Sequence, residues 1–233
     1  MDRLLLVRHA QTAGTRQAAF PATAGSQARD RCEPLDQAGT AQAAALRGTL
    51  PRPRHCWASF AARALETARL AGCDARPCAD LAECDFGRWA GLLPAQVHAA
   101  DPDGLAAWYA DPDAAPHGGE SFTHVRARAA AVLARAKDAG GTVVAFTHGG
   151  LVKAALLEAL GLGSQALWRL DVAPASVTEL HPSGAGGGWR VVRTNWTPKL
   201  AGEGDRPAVA GGWGFKWARA TAQRSLVGGD SHG

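Results

Sequence analysis

The stretch Leu4-Leu5-Leu6-Val7-Arg8-His9 consists of four consecutive apolar residues followed by an arginine and a histidine. A continuous apolar run of this length is typical of a strand in a parallel sheet, where both faces of the strand are covered. The stretch Thr142-Val143-Val144-Ala145-Phe146-Thr147-His148 repeats the pattern. We therefore predict two buried strands, each with a histidine at its carboxyl end.

Helical patterns alternate with predicted strands along the chain. A further short strand is predicted over residues 55–60, and two β-rich runs near Val177 and Trp189 flank a Gly-rich hairpin loop. The predicted helices cover residues 37–46, 63–70, 121–138 and 151–160, with Asp36 and Ser121 as N-caps of the first and third. This alternation predicts an α/β fold with three α/β/α layers and a mostly parallel central sheet.

One domain is predicted over residues 1–197. Within it, residues 92–119 contain four prolines and two Asp-Pro-Asp turns, which favour short helices that form a lid. Residues 14–33 are expected to form a loop, and residues 198–233 a Gly-rich, aperiodic tail.

The composition argues against several classes of protein. A net charge of +4 without a block of consecutive basic residues disfavours a nucleic-acid partner and favours a small anion. The apolar runs are too short to span a bilayer, and a strand is predicted directly after Arg3, so we expect no membrane association, no signal peptide and a cytoplasmic location. Five cysteines favour reduced thiols, and their spacing matches no zinc site, so we expect neither a metal nor another cofactor.

Five charged or titratable side chains lie at or just beyond the ends of predicted strands. In open α/β sheets, ligands bind outside the carboxyl ends of the strands. The side chains predicted to meet there are Arg8, His9, Arg63, Glu83 and His148.

These residue types fit phosphoryl transfer to a histidine. Arginine supplies permanent charge and several N–H donors to a phosphate dianion, and it disfavours an imidazolium beside it. One neutral imidazole can then attack phosphorus, while the second donates to the phosphate oxygens. A glutamic acid can protonate the leaving oxygen and afterwards, as a carboxylate, activate water.

Six ordered sequence blocks resemble those of the histidine phosphatases, the phosphoglycerate-mutase-like superfamily. The first, Leu6-Val7-Arg8-His9-Ala10-Gln11-Thr12, is similar to the family's Arg-His-Gly motif. The block Leu81-Ala82-Glu83-Cys84-Asp85-Phe86-Gly87-Arg88-Trp89-Ala90-Gly91 resembles the family's Leu-x-Glu-x-x-Phe-Gly-x-Trp-x-Gly. The other blocks lie at residues 34–43, 58–68, 118–121 and 147–150.

The resemblance implies a role for each matched residue. His9 is expected to accept the phosphoryl group, and Glu83 to act as the proton donor. The phosphate pocket is expected to consist of Arg8, Arg63 and His148. Further candidates for substrate binding are Gln11, Thr15, Glu120 and Gly149.

Two positions depart from the family pattern. Ala10 replaces a glycine, which would matter if the backbone there had positive φ. Thr15 falls where many members have an asparagine that contacts phosphate, and its hydroxyl has a shorter reach.

Three functions stay open within the family. A phosphomonoesterase is favoured over a phosphoglycerate mutase because the block around Glu83 has the form found in phosphatases and the predicted lid is short. A non-catalytic phosphate-binding protein is the third alternative. The partner in each case is a small phosphorylated metabolite, and a homodimer is left open.

The substrate hypothesis rests on two blocks. Residues 118–121 and 147–150 resemble those of bacterial α-ribazole-5'-phosphate phosphatases of cobalamin assembly. This makes α-ribazole 5'-phosphate the leading hypothesis, with broad activity on small sugar or nucleotide monophosphates as the alternative.

Overall fold

The computed structural model describes residues 2–22, 33–184 and 187–198. Within them, six strands form one sheet in the order β3-β2-β4-β1-β5-β6. The strands are β1 (Arg3–Arg8), β2 (His55–Ala58), β3 (Arg76–Pro77), β4 (Thr142–Thr147), β5 (Val177–Pro182) and β6 (Trp189–Trp196).

The sheet is mostly parallel, as predicted. The pairings β1 with β4, β2 with β4 and β2 with β3 are parallel, whereas β5 runs antiparallel to β1 and to β6. Strands β5 and β6 form the hairpin expected from the Gly-rich loop. In the central pair, Arg8 lies opposite Thr147, and the His9 amide donates to the Thr147 carbonyl over 2.8 Å. His9 and His148 therefore leave the sheet side by side.

The helices cover both faces of the sheet and give the expected three layers. Leu4 and Leu6 pack toward α6 and α7, whereas Leu5 and Val7 pack toward α2 and α3, so β1 is buried on both faces. The helices are α1 (Ala13–Gln17), α2 (Gln37–Ala45), α3 (Ala62–Leu70), α4 (Pro94–Ala100), α5 (Pro102–Ala110), α6 (Phe122–Ala139) and α7 (Gly149–Leu160).

The structure confirms two predicted helix N-caps and adds one helix that the sequence analysis did not predict. The Asp36 carboxylate accepts from the Gly39 amide at the start of α2, and the Ser121 hydroxyl accepts from the His124 amide at the start of α6. Residues 14–33 were expected to form a loop, but α1 occupies their start. Thr12 and Thr15 form a reciprocal capping box, which satisfies the free amides of this short helix.

The segment predicted as a lid contains α4 and α5, each with a proline in its first turn. In the described part of the chain, none of the helices has the length and apolar character needed to cross a membrane. Most of the predicted tail, from residue 199 onward, lies outside the described residues.

Gly39→Ala tests the contact between α2 and the loop after His9. A Cβ at Gly39 would overlap the backbone carbonyl of Gln11, two residues beyond His9. We expect the substitution to lower the free energy of unfolding by about 1–3 kcal/mol, because backbone atoms cannot move aside as a flexible side chain can. Urea denaturation measures this loss, and Gly163→Ala, where a Cβ meets nothing within 4 Å, is the control. Equal stability of both variants would contradict the prediction.

Candidate active site

The five predicted catalytic side chains are buried together at the carboxyl edge of the sheet. Arg8 and His9 follow β1, Arg63 lies in the first turn of α3 beyond β2, and His148 is the N-cap of α7 beyond β4. Glu83 comes from the loop after Leu81. Both imidazoles, both guanidiniums and the carboxyl group are largely removed from bulk solvent.

Hydrogen bonds fix the tautomer of His9. Its Nδ1 lies 2.8 Å from the carbonyl oxygen of Ala10, and since a carbonyl can only accept, Nδ1 carries the proton. The Nε2 lone pair accepts from Arg63 Nε over 3.3 Å. A neutral His9 therefore presents an unprotonated Nε2 beside a guanidinium.

His148 lies close to His9 and shares Arg63 with it. The two ring centroids are 5.1 Å apart. Arg63 donates to Nδ1 of His148 over 3.4 Å, so the Nε2–H of a neutral His148 donates to the Ser59 hydroxyl at 2.8 Å. Arg63 thus orients both imidazoles.

Burial and nearby charge keep both histidines neutral. Burial lowers the pKa of His9 well below its ordinary value of 6.5, and the charges of Arg63 and Arg8 lower it further, although the Ala10 carbonyl opposes the shift. The pKa of His148 is also well below 6.5, because of burial first and then of Arg63, His9 and Arg8. An unprotonated imidazole nitrogen is therefore present even in mildly acidic solution.

Arg8 is held rigidly but keeps donors free. One terminal nitrogen donates to the Val172 carbonyl over 2.5 Å, while the buried Nε has no hydrogen-bond partner among the described residues. Burial lowers the pKa of Arg8 to about 10, against the attraction of Glu83, so the side chain stays charged at neutral pH. A buried charge with an unused donor is suited to an anionic ligand.

Glu83 is placed by backbone amides and by a neighbouring ion pair. Its carboxylate accepts from the amides of Cys84 at 3.0 Å and Gly150 at 3.2 Å. Arg128 donates to the carbonyls of Ala82 and Glu83, and it pairs with both carboxylate oxygens of Glu120 at 2.8 and 2.6 Å. The loop that carries Glu83 is therefore anchored to α6.

The family model of the histidine phosphatase superfamily (branch 1) matches residues 4–197. The chain belongs to the histidine phosphatase superfamily. The match includes both strand-end histidines and, except for Arg3 at the start of β1, all the helices and strands described above.

Several mycobacterial proteins are similar to this histidine phosphatase. "Bifunctional protein Rv2228c" of Mycobacterium tuberculosis is 34% identical over 199 residues, which are 78% of the chain and 51% of that protein, so the chain spans about half the length of this relative. The glucosyl-3-phosphoglycerate phosphatase of the same species is 34% identical over 175 residues, 68% of the chain and 74% of that enzyme. The structure of a mycobacterial glucosyl-3-phosphoglycerate phosphatase in complex with VO3 superposes with a TM-score of 0.69 at 30% identity, covering 84% of the chain and 99% of the other.

The other predicted site residues lie farther from the imidazoles or have other partners. The Gln11 amide donates to Asp36. Thr15 lines the same cavity as His9 and Arg63, but its hydroxyl donates to the Thr12 carbonyl. Glu120 pairs with Arg128 and so supports Glu83 indirectly. Their roles as phosphate ligands stay predictions.

Gly149 and Ala10 fit their positions for steric reasons. A Cβ at Gly149 would come within 3.3 Å of Arg8 Nε, so the glycine lets α7 start close to the guanidinium. Ala10 is not among the residues with positive φ, and its amide donates to the Thr67 hydroxyl. The replacement of glycine by alanine in this histidine phosphatase therefore carries no backbone strain.

The sequence analysis did not predict a role for Arg128, although its position in α6 indicates one. It lies next to the buried stripe of α6 that contains Val125 and Ala129, where an arginine needs a partner. Ser59 and Thr67, which hold His148 and Ala10, had no such signal because their partners come from distant segments. Among the described residues, no group of three or more His, Cys, Asp or Glu side chains is arranged to hold a metal ion.

Arg63→Met tests how the site keeps His9 neutral. Removing the guanidinium should raise the pKa of His9, because a charge that disfavours the imidazolium is lost, while burial keeps it below 6.5. Histidine ring resonances followed by NMR as a function of pH report the shift. Arg69→Met, which removes an exposed arginine from the same helix, is the control. An unchanged pKa of His9 in Arg63→Met would show that Arg63 does not contribute to it.

Proposed function

We propose that this protein is a phosphomonoesterase that forms a phosphohistidine on His9 and hydrolyses it without a metal. One observation carries the proposal. The Nε2 lone pair of His9 lies beside Arg63, while the Nδ1–H bond to Ala10 prevents the ring from presenting a proton instead. Such an arrangement suits a nucleophile that attacks phosphorus better than a group that donates a hydrogen bond to the phosphate.

In the first step, His9 Nε2 attacks phosphorus and the bond from phosphorus to the leaving oxygen breaks. Arg8 and Arg63 bind the phosphate oxygens, and the Nε2–H of His148 turns from the Ser59 hydroxyl to donate to them as negative charge develops. Glu83 transfers its proton to the leaving oxygen. The products are phosphohistidine, an alcohol and the Glu83 carboxylate.

In the second step, the Glu83 carboxylate takes a proton from water as the water oxygen attacks the phosphohistidine. The phosphorus–nitrogen bond breaks and its electron pair returns to His9. Inorganic phosphate leaves, and both residues regain their starting states.

The named relatives support a phosphorylated sugar acid as substrate class, since two of those described above are glucosyl-3-phosphoglycerate phosphatases. α-Ribazole 5'-phosphate, the leading hypothesis from the sequence blocks, has no support from these relatives. We therefore place it second to glucosyl-3-phosphoglycerate, the substrate in the names of those relatives.

Phosphate release from an aryl phosphate in excess chelator is the first test. We expect wild type to release phosphate and His9→Ala to lose at least about 10³-fold in kcat, because the covalent route is removed. His98→Ala, an exposed histidine of α4, is the control and should match wild type.

Two outcomes would contradict this proposal. Full activity of His9→Ala would exclude a phosphohistidine on that residue. No release by folded wild type would favour phosphoglycerate mutase-type transfer or a non-catalytic phosphate-binding protein.

Glu83→Gln tests the proton donor through the leaving group. We expect turnover of alkyl phosphates to fall by about 10²–10⁴-fold, because an alkoxide needs a proton to leave. Turnover of activated aryl phosphates should fall much less, since a phenolate leaves unprotonated. The test is to measure kcat of wild type and Glu83→Gln on both substrate types. Equal losses on the two types would show that Glu83 is not the proton donor.

A further inference from the structure

A second cavity adjoins the phosphate site and has apolar walls. Arg8 and Glu83 line both cavities, so the leaving group of a bound phosphoester would point from the first into the second. The wall facing them contains Phe86, Trp108 and Trp168. The cavity has a volume of about 50 Å³, room for a few non-hydrogen atoms of a leaving group, and it opens to solvent beyond that.

Lys153 also lines this cavity, and no part of the reaction described above uses it. The residue lies on α7, one turn beyond the glycines that approach Arg8 and Glu83, and its side chain is only 7% exposed. Among the described residues, its ammonium group has neither a hydrogen bond nor an ion pair. Asp171 and Glu83 attract it only from a distance, and burial lowers the pKa of Lys153 to about 8, so it is mostly protonated at pH 7.

A largely buried lysine whose ammonium group faces a cavity and not a protein partner is unfavourable for the folded protein. Burial of an unpaired charge is costly, and a methionine of similar length would pack against the same apolar wall without that cost. The charge is therefore better explained by a ligand than by the fold. A single ammonium matches a carboxylate, whereas a second phosphate dianion would need more donors than this wall supplies.

We propose that Lys153 binds a carboxylate carried by the leaving group of the substrate, while the aromatic wall contacts its apolar part. The inference rests on the phosphomonoesterase function proposed above and names the substrate class of that same site: phosphomonoesters of hydroxy acids. Lys153 thereby determines specificity without touching the phosphorus.

Matched aryl phosphates test the subsite with the full chain. 4-Carboxyphenyl and 4-carbamoylphenyl phosphate differ by one charge, and their 3-substituted isomers vary its position. For at least one isomer pair, wild type should favour the carboxylate about tenfold or more in kcat/KM. Lys153→Met should abolish the preference, and Lys153→Arg should retain part of it. Lys137→Met, which removes a lysine that donates only to the exposed Gly187 carbonyl, is the charge control.

The outcomes separate this inference from the proposed function. No preference in wild type, or a preference that persists in Lys153→Met, would overturn the subsite while leaving the phosphatase intact. If folded wild type hydrolyses none of these compounds, the proposed function fails. Calorimetry on the same compound pairs then tests the subsite. Tighter binding of the carboxylate compound by wild type, lost in Lys153→Met, would support the proposal. Equal binding of both compounds by wild type would overturn it.

Discussion

The parallel pairing of β1 with β4 constrains the position of every group in the site. Arg8 lies opposite Thr147, so the next residue of each strand emerges at the same edge, and the two imidazoles come within 5.1 Å of each other. A register shift by one residue would move one histidine about 3.3 Å along the sheet and turn its side chain to the opposite face, which would separate the two imidazoles. The apolar faces of β1, packed between two helical layers, therefore hold the imidazoles in place as well as stabilising the fold.

This arrangement places two positively charged side chains close together, and they repel each other. Arg8 and Arg63 are buried near each other, and each lowers the pKa of the neighbouring imidazoles. Glu33 lies 3.6 Å from Arg63 and pairs with it. A phosphate dianion would reduce the repulsion further and could accept from Arg8 Nε, which has no hydrogen-bond partner among the described residues. In the proposed function, phosphate binding and the activation of His9 share one cause, because the charge that attracts phosphate also keeps His9 unprotonated.

The sequence predicts those features that depend on a local pattern. Apolar runs predicted the strands β1 and β4. The side-chain oxygens of Asp36 and Ser121 predicted two helix N-caps. The order of the motifs indicated which histidines belong to the site. Contacts with a partner far along the chain were not predicted. Gln11 was predicted to bind substrate, and that role stays a prediction, but nothing local could show that its amide donates to Asp36 or that Arg128 would anchor the Glu83 loop. Such contacts follow from how segments pack, which no short pattern contains.

The position of Glu83 depends on backbone contacts from two distant segments. Its two oxygens accept from the amides of Cys84 and Gly150, so the start of α7 holds the carboxyl group from one side. Arg128 of α6 holds the loop from the other side through the carbonyls of Ala82 and Glu83. In the reaction proposed above, the same carboxyl group donates a proton in the first step and accepts one in the second. It must therefore stay in one place through both steps, and contacts with backbone groups meet that requirement better than contacts between mobile side chains would.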